Sequence, residues 1–245
     1  MPGYLTRDAH VPILGADPLL IRSLLDNQQF ADPLGAALAL GISSAAWPLF
    51  GVLWPSSRQL AARMAVRGLD PGERILEVGC GRALASLVSH RRGADVTASD
   101  CHPLAAAFLL ENVRLNDLPP LPYRHGDWAA TVDAIALDDA DSPARVQGRF
   151  GLIIGSDVLY ERDDTGLLSG FIERHALPAA EVLIVDPNRG NRAGFNRRMA
   201  VAGFTLDETD LSQRDTSGGG GGTRLAIDGY KGRLLRYVRA APLTA

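Results

Sequence analysis

From Arg74 onward the chain alternates short apolar runs with stretches of helical character. Arg74–Val78 reads as a strand, followed by a glycine-rich turn. Leu84–Arg92 reads as a helix closed by Gly93, and Asp95–Ala98 as a second strand. Pro103–Asn116 is a helix opened by proline, and Tyr123–His125 a short third strand. Phe150–Gly155 is apolar throughout, the pattern of a strand buried on both faces. Thr165–Leu177 is helical, Glu181–Val185 a fifth strand, Asn191–Ala202 a helix and Phe204–Leu211 a strand. Two further β runs fall in Arg224–Arg239, around the turn Gly229-Tyr230-Lys231-Gly232. This alternation predicts an α/β fold, a doubly wound parallel sheet with helices on both faces and antiparallel C-terminal strands closing one edge.

Ahead of this lies an N-terminal cap, residues 1–56, on a domain spanning 57–245. Asp17 and Pro18 fit the N-cap and first position of a helix reaching Gln29. A second helix runs from Ser56 or Ser57 to Val66 and stops at Gly68, before the turn Asp70-Pro71-Gly72. No residue from Pro33 to Ser57 is charged. That length can cross a bilayer. Its glycines, serines and prolines favour instead a buried helix followed by a loop or strand. Residues 129–148, with four aspartates, and 214–222, ending in five glycines, read as mobile insertions.

Composition narrows the class. The chain has 245 residues, 46% hydrophobic, with net charge −3. That gives no electrostatic reason to expect a nucleic-acid partner. Cys80 and Cys101, the only cysteines, exclude a disulfide framework. The five histidines show no metal-ligand spacing. Met1–His10 lacks a basic segment followed by an apolar one, which makes the cytoplasm the default. Of 25 basic residues only Lys231 is a lysine, read as the mark of a GC-rich bacterial genome.

The chemistry centres on Glu77-Val78-Gly79-Cys80-Gly81-Arg82-Ala83, after a strand and before a helix. Glycines there let the backbone approach a ligand, and the helix presents free N–H groups. Asp100 ends the next strand and is suited to accept hydrogen bonds from both hydroxyls of a ribose. A pyrophosphate cofactor calls for a third glycine where Leu84 stands, and Glu77 would repel it. S-adenosylmethionine, with a cationic ammonium and a sulfonium, fits a carboxylate at this turn.

Residues 73–81 and Ala98-Ser99-Asp100 resemble the first and second motifs of class I S-adenosylmethionine-dependent methyltransferases, which implies their Rossmann-like seven-stranded mixed sheet. Four further segments resemble the seven-strand protein-lysine methyltransferase group called methyltransferase family 16. They are Leu53-Trp54-Pro55-Ser56, Glu111–Asn116, Gly126-Asp127-Trp128 and the D-x-x-Y of Asp157–Tyr160. Asp186-Pro187-Asn188-Arg189 resembles the D-P-x-R of the branch acting on the electron-transfer flavoprotein β subunit. The third glycine of the first motif is replaced by Ala83.

The resemblance implies that Glu77, Gly79 and Gly81 line the methionine end of S-adenosylmethionine, with S-adenosylhomocysteine as product. It puts Asp100 on the ribose and Cys101 near the adenine. Asp127 and Trp128 flank the adenine, Trp54 closes over the cofactor and Ser156 meets it from the fourth strand. Asp157 and Tyr160 face the methyl acceptor. The acceptor so implied is a lysine of a protein substrate. A small-molecule acceptor and a non-catalytic cofactor-binding module are the alternatives. A nucleic-acid base enzyme would show (D/N)-P-P-(Y/F) where Ser156-Asp157-Val158-Leu159 stands.

Overall fold

The computed structural model describes residues 3–129, 144–160, 163, 165–212 and 229–241. Strands are β1 (Thr6–Ile13), β2 (Ala16–Leu24), β3 (Arg74–Val78), β4 (Asp95–Asp100), β5 (Tyr123–His125), β6 (Phe150–Ser156), β7 (Ala176–Asp186), β8 (Thr205–Asp210) and β9 (Arg233–Arg239). Helices are α1 (Ala36–Ala39), α2 (Pro55–Val66), α3 (Leu84–Arg91), α4 (Ala105–Leu115), α5 (Leu167–His175) and α6 (Arg192–Val201), with a 3-10 helix at Trp47–Gly51. The main sheet runs β5-β4-β3-β6-β7-β9-β8. Neighbouring pairs from β5 to β7 are parallel, and β9 is antiparallel to both β7 and β8. The predicted seven-stranded mixed sheet is therefore what the chain forms. The first of the two β runs expected near the C-terminus, before Gly229, lies outside the described residues, as do most of both insertions.

Each sheet face is closed by helices. Leu60 and Met64 of α2, Leu84, Leu87 and Val88 of α3, and Leu109 and Val113 of α4 pack on Ile75, Val96 and Leu152. Phe171 and Ile172 of α5 and Phe195 and Met199 of α6 pack on Leu76, Ile153, Val182 and Tyr237. Strand order reverses between β3 and β6, and ligands of open α/β sheets bind beyond the carboxyl ends of strands at such a point.

The cap departs from expectation. Asp17 and Pro18 do not open a helix; they lie in β2, which pairs antiparallel with β1. The determining pattern has period two, with Leu19, Ile21 and Ser23 buried and Leu20 and Arg22 less so. Gly15, at φ +86°, makes the turn. Pro12 and Pro18 fall where the register shifts between Val11 and Ile13, so their missing N–H groups interrupt no regular ladder. Val11, Ile13, Leu19 and Ile21 join the α2–α4 side of the core. The uncharged run also differs from a buried helix. The helix α1 is a single turn with Leu38 outward, and burial is concentrated at Trp47 and Phe50. Among the described residues no helix is long and apolar enough to cross a membrane.

Asn112 of α4 and Asn116, the residue that caps its C-terminus, act as a surrogate strand for β2. Asn116 Oδ1 accepts from the Leu20 N–H at 2.8 Å, and its Nδ2 donates to the Leu20 carbonyl at 2.8 Å. Asn112 Oδ1 accepts from the Arg22 N–H at 2.7 Å. Asn116→Ala strands both Leu20 backbone groups, each worth about 1–3 kcal/mol when left unsatisfied. Denaturant unfolding is expected to show a loss of about 2 kcal/mol; a loss below about 0.5 would show that water replaces the amide.

Candidate functional site

The turn after β3 holds three consecutive odd-numbered residues in the left-handed region, Gly79 (φ +59°), Gly81 (φ +50°) and Ala83 (φ +55°). A Cβ on Gly79 would lie 2.9 Å from Val158 Cγ1, and one on Gly81 would lie 3.0 Å from the Phe50 carbonyl oxygen. Glycine is required at both by conformation and by space. The turn is tied to β4. The Cys80 N–H donates to the Ser99 carbonyl at 2.9 Å, and the Gly81 N–H donates to Asp100 Oδ2 at 2.8 Å. Asp100 Oδ1 accepts from the His102 N–H at 2.9 Å. Burial raises the Asp100 carboxyl above the usual carboxylate range, against those two N–H groups and Arg82, which pull it down. Each oxygen accepts one backbone N–H and a carboxylate offers about four acceptor sites, so capacity for ligand hydroxyls is left.

Glu77 lies beneath the turn. Its Oε2 accepts from the Ser86 N–H at 2.9 Å and the Ser86 hydroxyl at 2.5 Å, which fixes the first turns of α3. Burial pushes this carboxyl up to about 7, helped by the Asp100 charge and opposed by Ser86. On the β5 side, Cys101 is exposed. Asp127 Oδ1 accepts from the Ala129 N–H at 2.9 Å, and its other oxygen stands 3.8 Å from Arg145. The half-buried Trp128 indole flanks the turn, its Cζ2 lying 3.7 Å from where a Gly79 Cβ would be.

Ser156 and Asp157 emerge from the carboxyl end of β6. Asp157 is itself left-handed, at φ +57°, and its N–H donates to the Val185 carbonyl of β7 at 2.9 Å. Its carboxylate accepts a fork from Arg189, Nε at 3.0 Å and Nη2 at 2.9 Å. The Asp157 side chain is 8% exposed and that of Arg189 44%. The guanidinium carbon also stands 5.8 Å from the centre of the Trp54 ring. Trp54 is fixed by its Nε1–H to the Leu49 carbonyl at 2.9 Å. Tyr160 is half exposed, and its carbonyl accepts from Asn191 Nδ2 at 2.9 Å. The structure thus brings Trp54, Asp157 and Arg189 together, 135 residues apart at the extremes. The arginines that follow β7 do not share one solvated face. Instead Arg189 pairs with Asp157, Arg192 approaches Glu208 at 3.7 Å, and Arg198 donates to the Asp163 carbonyl.

A second group went unread in the sequence. Arg82 is fully buried, its Nε–H donating to the Phe50 carbonyl at 3.1 Å. Its guanidinium lies 4.6 Å from the Phe50 ring and 3.9 Å from the Phe108 ring. Desolvation lowers it to about 9. Phe50 stacks on His102 at 3.5 Å between centroids. This clamp holds the cap against the turn. The only hint in the sequence was the clustering of Trp47, Phe50 and Trp54 in a run without charge. Among the described residues no group of three or more His, Cys, Asp or Glu side chains is placed to hold a metal ion.

No protein-family model matches the chain. The electron transfer flavoprotein beta subunit lysine methyltransferase of Xenopus laevis is 26% identical over 145 residues, 58% of this chain and 53% of that protein. EEF1A lysine methyltransferase 3 of Mus musculus is 26% identical over 168 residues, 66% of each. The chain spans between about half and two thirds of the length of the curated relatives it matches. Among solved structures, magnesium protoporphyrin IX methyltransferase from Synechocystis PCC 6803 with bound SAM superposes with a TM-score of 0.50 at 18% identity, covering 75% of this chain and 78% of that one. The chain therefore has the fold of an S-adenosylmethionine-binding methyltransferase, and the curated proteins it distantly resembles are methyltransferases.

Proposed function

We propose that the chain is an S-adenosylmethionine-dependent N-methyltransferase whose acceptor is a lysine side chain of a protein. In this reading residues 1–56 cap a methyltransferase domain of residues 57–245. The site fits the cofactor on two counts. The left-handed glycines hold the turn in the tight path of a nucleotide-binding loop at the carboxyl end of β3, and Asp100 keeps acceptor capacity beside it. When bound, the cofactor supplies an electrophilic methyl on a sulfonium. Glu77, Gly79 and Gly81 form the wall for its methionine end, Asp100 holds the ribose, Cys101, Asp127 and Trp128 bound the adenine, and Trp54 and Ser156 close the remaining sides.

The observation that carries the acceptor assignment is the niche formed by Asp157 and Trp54. It already holds a cation, the chain's own Arg189, between a carboxylate and an indole. The same pair suits a lysine ammonium, which Asp157 attracts and the indole face favours. Arg189, nearly half exposed, is free to swing outward as the acceptor enters. Tyr160 orients the amine at the rim. The acceptor amine, with an ordinary pKa near 10.4, sheds its proton to water before attack. The names of the curated relatives, lysine methyltransferases, support the same acceptor class.

The direct test is incubation with radiolabelled S-adenosylmethionine and lysate of the source cells, then separation into protein, nucleic-acid and small-molecule fractions. Label in a protein band, lost with an Asp157 variant, is the expected result. Label confined to the small-molecule fraction would move the acceptor to a metabolite. The cofactor half has its own test. Asp100→Ala removes charge-assisted hydrogen bonds worth about 1.5–3 kcal/mol, so S-adenosylhomocysteine affinity should fall roughly 10–100-fold by calorimetry. A fall of less than about threefold would remove Asp100 from the ribose.

A further inference from the structure

The single lysine of this arginine-rich chain stands on the acceptor side of the sheet. Lys231 is exposed, in the turn Gly229–Gly232 that leads into β9. Because β9 is antiparallel, its first residue, Arg233, pairs with Asp186, the last residue of β7. The turn therefore lies at the same end of the sheet as Asp157. It is fastened there at three points. The Tyr230 hydroxyl and Ser56 Oγ are 2.8 Å apart, two residues beyond Trp54. Gly232 packs so close to β7 that a Cβ would be 2.5 Å from the Asp186 carbonyl oxygen. The Gly232 carbonyl accepts from the Leu211 N–H at 2.9 Å. Lys231 shares a hollow of about 370 Å³ with Asn188, which directly precedes Arg189. Neighbouring cations are engaged, Arg189 by Asp157 and Arg192 and Arg233 by Glu208. The Lys231 ammonium makes no hydrogen bond or ion pair with any described residue.

We infer that Lys231 is a methyl acceptor within its own molecule, an inference that rests on the methyltransferase reading above. Its ammonium first gives a proton to water. The amine lone pair then forms the N–C bond as the C–S bond of the sulfonium breaks, and that electron pair stays on sulfur as the thioether. Loss of a further proton to water restores a lone pair, so successive methyl groups can follow. The turn is tethered, so the acceptor is presented at a high effective concentration that dilution does not change.

The test uses the full chain with radiolabelled S-adenosylmethionine and no other substrate, read by intact mass and peptide mapping, beside calorimetric binding of S-adenosylhomocysteine. Label on Lys231, absent in Lys231→Arg, is expected, with a first-order rate constant unchanged over an about tenfold dilution. Lys231→Arg should bind S-adenosylhomocysteine within about twofold of the wild type. Binding by the wild type without label on Lys231 would overturn this inference alone, as would label that survives in Lys231→Arg or a rate constant proportional to enzyme concentration. Absence of binding by the wild type would overturn the methyltransferase reading and this inference with it.

Discussion

Asp157→Asn is expected to lower methyl transfer by about 10²-fold or more, with S-adenosylhomocysteine affinity kept within about twofold. Asparagine is the informative substitution because Asp157 sits at φ +57°. Asn tolerates that region, whereas Ala would add backbone strain to the loss of the carboxylate. The N–H to the Val185 carbonyl survives, so the exit from β6 keeps its path. What goes is the charge that accepts the Arg189 fork. The niche then has an indole and no anion, and no longer concentrates or orients an ammonium. Orientation alone accounts for several kcal/mol in reactions of this kind, and a misplacement of about 1 Å can remove 10²-fold. Initial rates with labelled S-adenosylmethionine and calorimetry separate the two effects. A variant retaining more than about a third of the wild-type rate would show that the niche does not receive the acceptor.

Much of the scaffold was legible because its signals are local. Arg74–Val78 and Tyr123–His125 match their strands residue for residue, each bounded by turn residues that leave little choice of register. Gly79, Gly81 and Asp100 could be read together because one βαβ unit supplies all three. The hairpin was not legible, since Asp17-Pro18 mimics a helix start while the period-two burial of β2 depends on α2 and α4 to give it a partner. The Arg189–Asp157 pair was missed for a similar reason. It joins residues after β6 and after β7, and only the parallel register, Ser156 opposite Val185, brings those two exits side by side. Arg82 shows the limit most clearly. A residue in the cofactor motif proves to be a buried clamp for the cap, an outcome set by Phe50 and Phe108 rather than by its neighbours in sequence.

Glu77 should make stability fall as pH rises through neutrality, and Glu77→Gln should remove its share of that fall. In the folded chain burial pushes the carboxyl from the ordinary 4.5 up to about 7. Between those values the folded state holds a proton that the unfolded state has released, so stability declines with rising pH. The contribution is fully present below about 4.5 and is lost as pH passes through about 7. At about 1.4 kcal/mol per pH unit the full span corresponds to about 3 kcal/mol, and the interval from about pH 5 to about pH 8 to between roughly 2 and 3. Gln keeps an acceptor for the Ser86 N–H and hydroxyl and cannot titrate. Asp100 is raised in the same direction and remains in both proteins, so the difference between them isolates Glu77 apart from its coupling to Asp100. Urea unfolding at the two pH values should find Glu77→Gln gaining about 2 kcal/mol on the wild type at the higher one. A difference independent of pH would mean that Glu77 is ionised throughout. The same proton bears on the ligand. A cation arriving beside the turn favours the carboxylate and drives the proton off, so near neutral pH S-adenosylmethionine binding should release protons, seen as a buffer-dependent enthalpy that Glu77→Gln lacks.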